Sequence, residues 1–156
     1  MKTAVIGIGS PVLTDGAAPL RIIGELRRRG LCGERTEFTT LPAGGFDLLP
    51  VFEGCARAVI IAVFPHLTEN GATVIEKTVT CATEADSALP GDHGVEVASV
   101  LALGKQCGYT VPDEVIVMGI TGATVYTVGE RLSDAVTGIT GRVIRRVEEL
   151  VKQWDT

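Results

Sequence analysis

The constraint that governs this chain is a run of short, β-branched apolar segments separated by stretches of helical periodicity. Residues 3–8 (Thr-Ala-Val-Ile-Gly-Ile) open the series. A segment this apolar, with no polar alternation, suits a strand buried on both faces. Gly9-Ser10-Pro11 breaks it, and Thr14-Asp15-Gly16 precedes Ala17, Leu20, Ile22, Ile23 and Leu26, which fall near helical spacing. Arg27, Arg28 and Arg29 stand in the last predicted turn and Gly30 stops it. In an open α/β sheet, the turn after the first strand lies at the carboxyl edge, where ligands bind. Residues 9–16 are therefore the first place to look for a site.

The same alternation continues. Residues 34–40 read as a second strand and Leu41-Pro-Ala-Gly44-Gly45 as a loop whose glycines let backbone approach a ligand. Phe46, Leu48, Leu49, Val51 and Phe52 suggest a short helix, with Pro50 obscuring its start. Residues 57–64 contain the clearest buried strand, Ala-Val-Ile-Ile-Ala-Val, ended by Pro65-His66. Residues 71–80 alternate in their second half. They follow too closely for a crossover helix, which predicts an antiparallel edge strand. Residues 81–92 form the longest irregular stretch, and long loops in compact domains are often functional. A helix over 94–107, a buried strand over 114–120 and a last helix capped by Ser133 complete the order. That helix turns Val136, Ile139, Val143, Ile144, Val147 and Leu150 inward and leaves Arg145, Arg146, Glu148 and Glu149 on a solvated face. Strands separated by helices imply one three-layer α/β/α domain with a mostly parallel sheet and one antiparallel edge strand.

With 156 residues the chain can bury a core as a single domain. Its 14 basic against 19 acidic residues, and the absence of a basic stripe, argue against a nucleic-acid partner. No apolar run nears the roughly 20 residues needed to span a bilayer. No secretory signal precedes the first strand, so a cytoplasmic location with no membrane partner is expected. Cys32, Cys55, Cys81 and Cys107 form no close pairs and read as small core residues rather than a zinc or disulfide framework.

Three groups of residues could carry chemistry. Gly7-Ile-Gly9 follows the first strand as in dinucleotide folds. The third glycine of that fingerprint is replaced by Val12, and no acid ends the second strand. Asp15 stands at the carboxyl edge, where it can cap the following helix or serve as a ligand. His93, in Gly91-Asp-His-Gly94, stands before a helix at the same edge, and an imidazole there can hold a metal. His66 is the third candidate, as a ligand or as a plain loop residue.

Taken together, Val5-Ile-Gly-Ile-Gly9, Leu13-Thr-Asp15, Leu20-Arg-Ile22, Gly45-Phe-Asp-Leu-Leu49, His93-Gly-Val-Glu-Val97 and Leu132-Ser133 resemble the hydrogenase maturation endopeptidases, in order and spacing along nearly the whole chain. The spacing from Asp15 to Leu20 is also similar to that of the germination proteases over one turn. The resemblance to the maturation endopeptidases implies a flavodoxin-like fold and nickel-dependent removal of the C-terminal tail of a hydrogenase large subunit. Its carboxyl edge would carry an acid after the first strand, an Asp after the third and a His before the third helix. The nickel would arrive in the large-subunit precursor, with no tightly bound cofactor of the enzyme's own. On this chain the first acid position aligns with Gly16, beside a retained Asp15, and the second with Ala62 or Val63. The resemblance thus implies catalytic roles for Asp15 and His93, with His93 contacting the metal, Asp15 contacting the metal or positioning water, His66 as a further candidate ligand, and a peptide groove lined by Gly44 and Gly45. The alternative is a non-catalytic relative that binds a hydrogenase subunit or another partner without cutting it. A small nucleotide or cofactor binder follows from the fold alone.

Overall fold

The computed structural model describes residues 1–30, 33–64, 72–81, 97–121, 129 and 131–155. Five strands, β1 (Lys2–Ile8), β2 (Thr36–Leu41), β3 (Cys55–Val63), β4 (Thr73–Val79) and β5 (Glu114–Thr121), form one sheet. The four helices are α1 (Ala18–Arg29), α2 (Leu48–Phe52), α3 (Val97–Gln106) and α4 (Asp134–Asp155). The strand order is β2-β1-β3-β5-β4. Pairings β1–β2, β1–β3 and β3–β5 are parallel, and β4 runs antiparallel to β5 at the edge. This is the architecture expected from the sequence, including the reversed edge strand.

The apolar strand runs divide their side chains between two cores. Val5, Val59, Ile61, Val63, Ile116, Met118 and Ile120 pack with α1 and α4 on one face. Ala4, Ile6, Ile8, Ala58, Ile60, Ala62, Val115 and Val117 pack with α2 and α3 on the other. Successive residues point to opposite faces, so a central strand covered on both sides has no polar position to spare.

Helix α1 has Pro19 in its first turn, where a missing N–H costs nothing, and Gly30 ends it at φ 59°. Its terminal arginines are engaged locally. Arg28 and Arg29 pair with Glu25, and Arg27 Nη2 donates to the Phe38 carbonyl at 2.7 Å. Pro50 sits in the first turn of α2, after a 3-10 turn at Gly45–Asp47, which resolves the uncertain start of that helix.

The inward residues predicted for α4 are all buried, and Val151 joins them. Each fully buried aliphatic side chain is worth about 1.5–3 kcal/mol. A surface ion pair is worth about 0–1 kcal/mol. Packing therefore holds α4 on the sheet. The predicted solvated face needs one correction. Arg146 reaches across to Glu76 of β4 at 2.7 Å, and Glu148 takes Arg29 of α1 at 3.5 Å. Both acids and bases lie over neighbouring elements, which a single-helix projection cannot reveal.

The cysteines also differ from expectation. Cys55 is buried, Cys81 is half-buried beside Lys105 Nζ, and Cys107 is exposed in the turn that leaves α3. Burial pushes the Cys55 thiol upward from its ordinary value. Cys32 lies outside the described residues.

Candidate functional site

The carboxyl ends of β1, β2, β3 and β5 lie along one rim, since these strands are parallel. The segment after β1 folds tightly there. Gly9 N–H donates to the Leu41 carbonyl at 3.1 Å, tying it to the end of β2. Ser10 N–H donates to the Gly16 carbonyl at 3.0 Å and Gly16 N–H to the Leu13 carbonyl at 2.6 Å. A Cβ on Gly9 would lie 2.1 Å from that Gly16 oxygen. A Cβ on Gly7 would lie 2.8 Å from the Pro19 carbonyl oxygen and 2.7 Å from the Ile23 side chain. Both glycines thus have packing duties: Gly7 lets α1 approach β1, and Gly9 lets the turn close on itself. Neither needs a dinucleotide to explain it.

Asp15 is fully buried within a 3-10 turn spanning Thr14–Ala17. It makes no side-chain cap to its own helix. Its carboxylate instead accepts from Ser133 N–H at 2.6 Å and from Ser133 Oγ–H at 2.8 Å. Ser133 Oγ in turn accepts from Val136 N–H at 3.3 Å, capping α4 as the sequence suggested. The carboxyl oxygens therefore sit at the amino end of a long helix, where backbone N–H groups point outward. Backbone bonds reinforce the junction: Thr14 N–H donates to the Gly129 carbonyl at 3.1 Å, and Gly129 N–H to the Val12 carbonyl at 3.0 Å.

At the end of β3, Ala62 and Val63 are buried on opposite faces of the sheet, at 3% and 6% exposure. Phe64 follows, also buried, with its ring against Gly119 of β5, where a Cβ would fall 2.0 Å from Cε2. Its N–H donates to the Ile120 carbonyl at 2.8 Å. The end of this strand is therefore an apolar plug. Gly44 is half-buried, and Gly45 is buried with φ 76°, a conformation that suits glycine. The rim carries two exposed apolar side chains, Val12 after β1 and Phe46 after β2, at 55% and 53% exposure. Sequence reasoning assigned Phe46 to a helix face and gave Val12 no role. Its signal was a large apolar residue in a loop flanked by turn formers.

Among the described residues, no three His, Cys, Asp or Glu side chains converge on one point. Gly16, Ala62 and Val63 offer no donor atom, and both Asp15 oxygens already accept hydrogen bonds. His66 and His93 lie outside the described residues, as does most of the irregular stretch after β4. A separate open cavity of about 480 Å³ lies at the opposite, amino edge, lined in part by Arg35, Arg57, Trp154 and Asp155. There the Arg57 guanidinium stacks 5.3 Å from the Trp154 ring.

Solved structures share this architecture from end to end. The hydrogenase maturating endopeptidase HybD from E. coli matches with a TM-score of 0.79, covering 98% of this chain and 93% of its own, at 18% identity. The fold is that of the hydrogenase maturation endopeptidases. The hydrogenase 2 maturation peptidase from Thaumarchaeota archaeon SCGC_AB-539-E09 covers 97% of this chain and 98% of its own, at TM-score 0.67 and 16% identity. The [NiFe] hydrogenase maturation protease HybD from Thermococcus kodakarensis covers 97% and 99%, at 0.64 and 19%. No family model matches the sequence, and no curated protein does. At these identities the backbone of the endopeptidase fold is kept while most side chains have changed. No described helix is long and apolar enough to cross a membrane.

Proposed function

We propose that this protein is a maturation partner of a hydrogenase large-subunit precursor, which it binds at the carboxyl edge of its sheet without performing nickel-directed cleavage. One observation carries this reading: on an endopeptidase fold spanning the whole chain, the two acid positions implied by the family resemblance hold Gly16 and Ala62 or Val63. A cation at that site would lack two side-chain ligands and be loosely held, because each missing ligand leaves water in its place. The exposed Val12 and Phe46 support an apolar peptide segment as what this edge receives.

A second reading keeps the cut, and the extent of the fold likeness favours it. Here nickel carried by the precursor meets His93, with Asp15 and His66 as further contacts, and the Gly44–Gly45 backbone lines the peptide. Metal-directed hydrolysis would follow, the cation polarising the scissile carbonyl or activating water.

One experiment separates them. The purified protein is mixed with a nickel-loaded large-subunit precursor, then followed by size exclusion and intact mass. Co-elution with an unchanged precursor mass is the expected result. Loss of the C-terminal tail overturns the proposal in favour of the endopeptidase, and His93→Ala should then abolish the cut. Failure to co-elute, with no shortening, removes both.

A further inference from the structure

Asp15 is the described acidic residue with no side-chain exposure, and it faces a partner 118 residues away in sequence. The two pieces of chain it joins, 12–15 on one side and Gly129 with 131–133 on the other, also exchange the backbone bonds of Val12, Thr14 and Gly129, and Leu13 bridges Gly129 in parallel. Thr14 sits between them at φ 38°, among the described residues the non-glycine residue in the left-handed region. An L residue with a branched β-carbon holds that conformation only where its surroundings impose it.

We propose that Asp15 is a positioning residue that clasps the amino end of α4 to the turn after β1, and so fixes the spacing of the two backbone strips on this side of the carboxyl edge. It acts through Ser133 rather than on a metal or a reacting atom. The chemistry favours this role. A carboxylate accepting an N–H and an O–H is a strong, directional anchor, and in a site closed to water its loss leaves both donors unsatisfied. The same two oxygens cannot turn toward the rim without breaking those bonds. The inference deepens the proposed function, since the rim it shapes is the surface assigned to the precursor, but its test does not depend on any precursor.

Native-state hydrogen exchange on the isolated chain reads the clasp directly. In Asp15→Ala, the amides of Thr14 and Gly129 should exchange about tenfold to a hundredfold faster, while those of central β3 change far less. Ser133→Ala should accelerate the same two amides, and the double variant should be no faster than Asp15→Ala alone. Asp15→Asn, whose amide can still accept from Ser133 N–H, should restore most of the protection. Should Asp15→Ala fail to fold, Ser133→Ala and Asp15→Asn carry the test. Uniform acceleration across β3 and the rim would overturn the proposal, and so would unchanged exchange. So would a nickel titration in which Asp15→Asn abolishes binding while leaving both amides protected. Absence of precursor binding would refute the functional reading and leave the clasp intact.

Discussion

Replacing Gly9 by alanine tests how the rim is built. The added Cβ would lie 2.1 Å from the Gly16 carbonyl oxygen, whereas real Cβ contacts stay beyond 3.0 Å. Relief needs a backbone displacement of about 1 Å, because the obstacle is main chain rather than a side chain that can rotate. Overpacking of this kind costs about 1–3 kcal/mol. The displaced carbonyl also loses the Ser10 N–H bond, worth about 0.5–1.5 kcal/mol. The expected loss is therefore about 1.5–4.5 kcal/mol. Gly24→Ala is the matched control. Gly24 lies within α1 with nothing within 4 Å of the added carbon. There alanine should stabilise by about 0.5–1 kcal/mol, since glycine loses more backbone freedom on folding. Urea unfolding followed by far-ultraviolet circular dichroism gives both values, provided the slopes agree. Equal shifts for the two variants, or a Gly9→Ala midpoint at that of the wild type, would refute the close-approach argument.

Three further outcomes follow from other parts of the molecule. Phe64→Ala should cost about 3–5 kcal/mol, measured in the same unfolding assay, because the ring fills the space above Gly119 and leaves a cavity there. Val12→Asp and Phe46→Asp should each weaken precursor binding in a calorimetric titration by about tenfold or more. Stability should stay within about 0.5 kcal/mol, since both side chains are exposed. Acid sensitivity should trace to paired glutamates: hydrogen bonds from Arg146 hold the Glu76 carboxyl below its ordinary value of 4.5, and Arg28 and Arg29 hold Glu25 at about 2. The unfolded chain then takes up protons first as pH falls. The stabilisation is complete above the ordinary carboxylate value and is lost as pH drops through the folded one. Glu76→Gln should flatten that acid limb between pH 4.5 and its folded value, and a limb of unchanged slope would remove the pair from the account.

The sheet was legible because its determinants are local. β1, β3 and β5 announced themselves as apolar runs and β2 and β4 as alternating ones, Gly30 and Ser133 marked helix ends, and the short link after β3 required β4 to reverse. Helix boundaries missed by a few residues where a 3-10 turn intervened, at Thr14–Ala17 and Gly45–Asp47. The solvated face of α4 was misjudged because Glu76 and Arg29 arrive from other elements.

The site divides along the same line. Residue types alone determined that Gly16, Ala62 and Val63 bring no side-chain ligands to the rim, since no conformation gives an alkyl group a lone pair. What Asp15 does could not be read from its neighbours, which suggested a cap on its own helix or a metal contact. Tertiary structure turned its carboxylate to Ser133, because burial closes off water and the free N–H at the start of α4 lies within reach. Periodicity and turn chemistry act over a few residues, and they settle which elements form. A hydrogen bond between residues 15 and 133 exists only after the sheet and α4 have brought both ends together, and that encounter decided where the Asp15 carboxylate bonds.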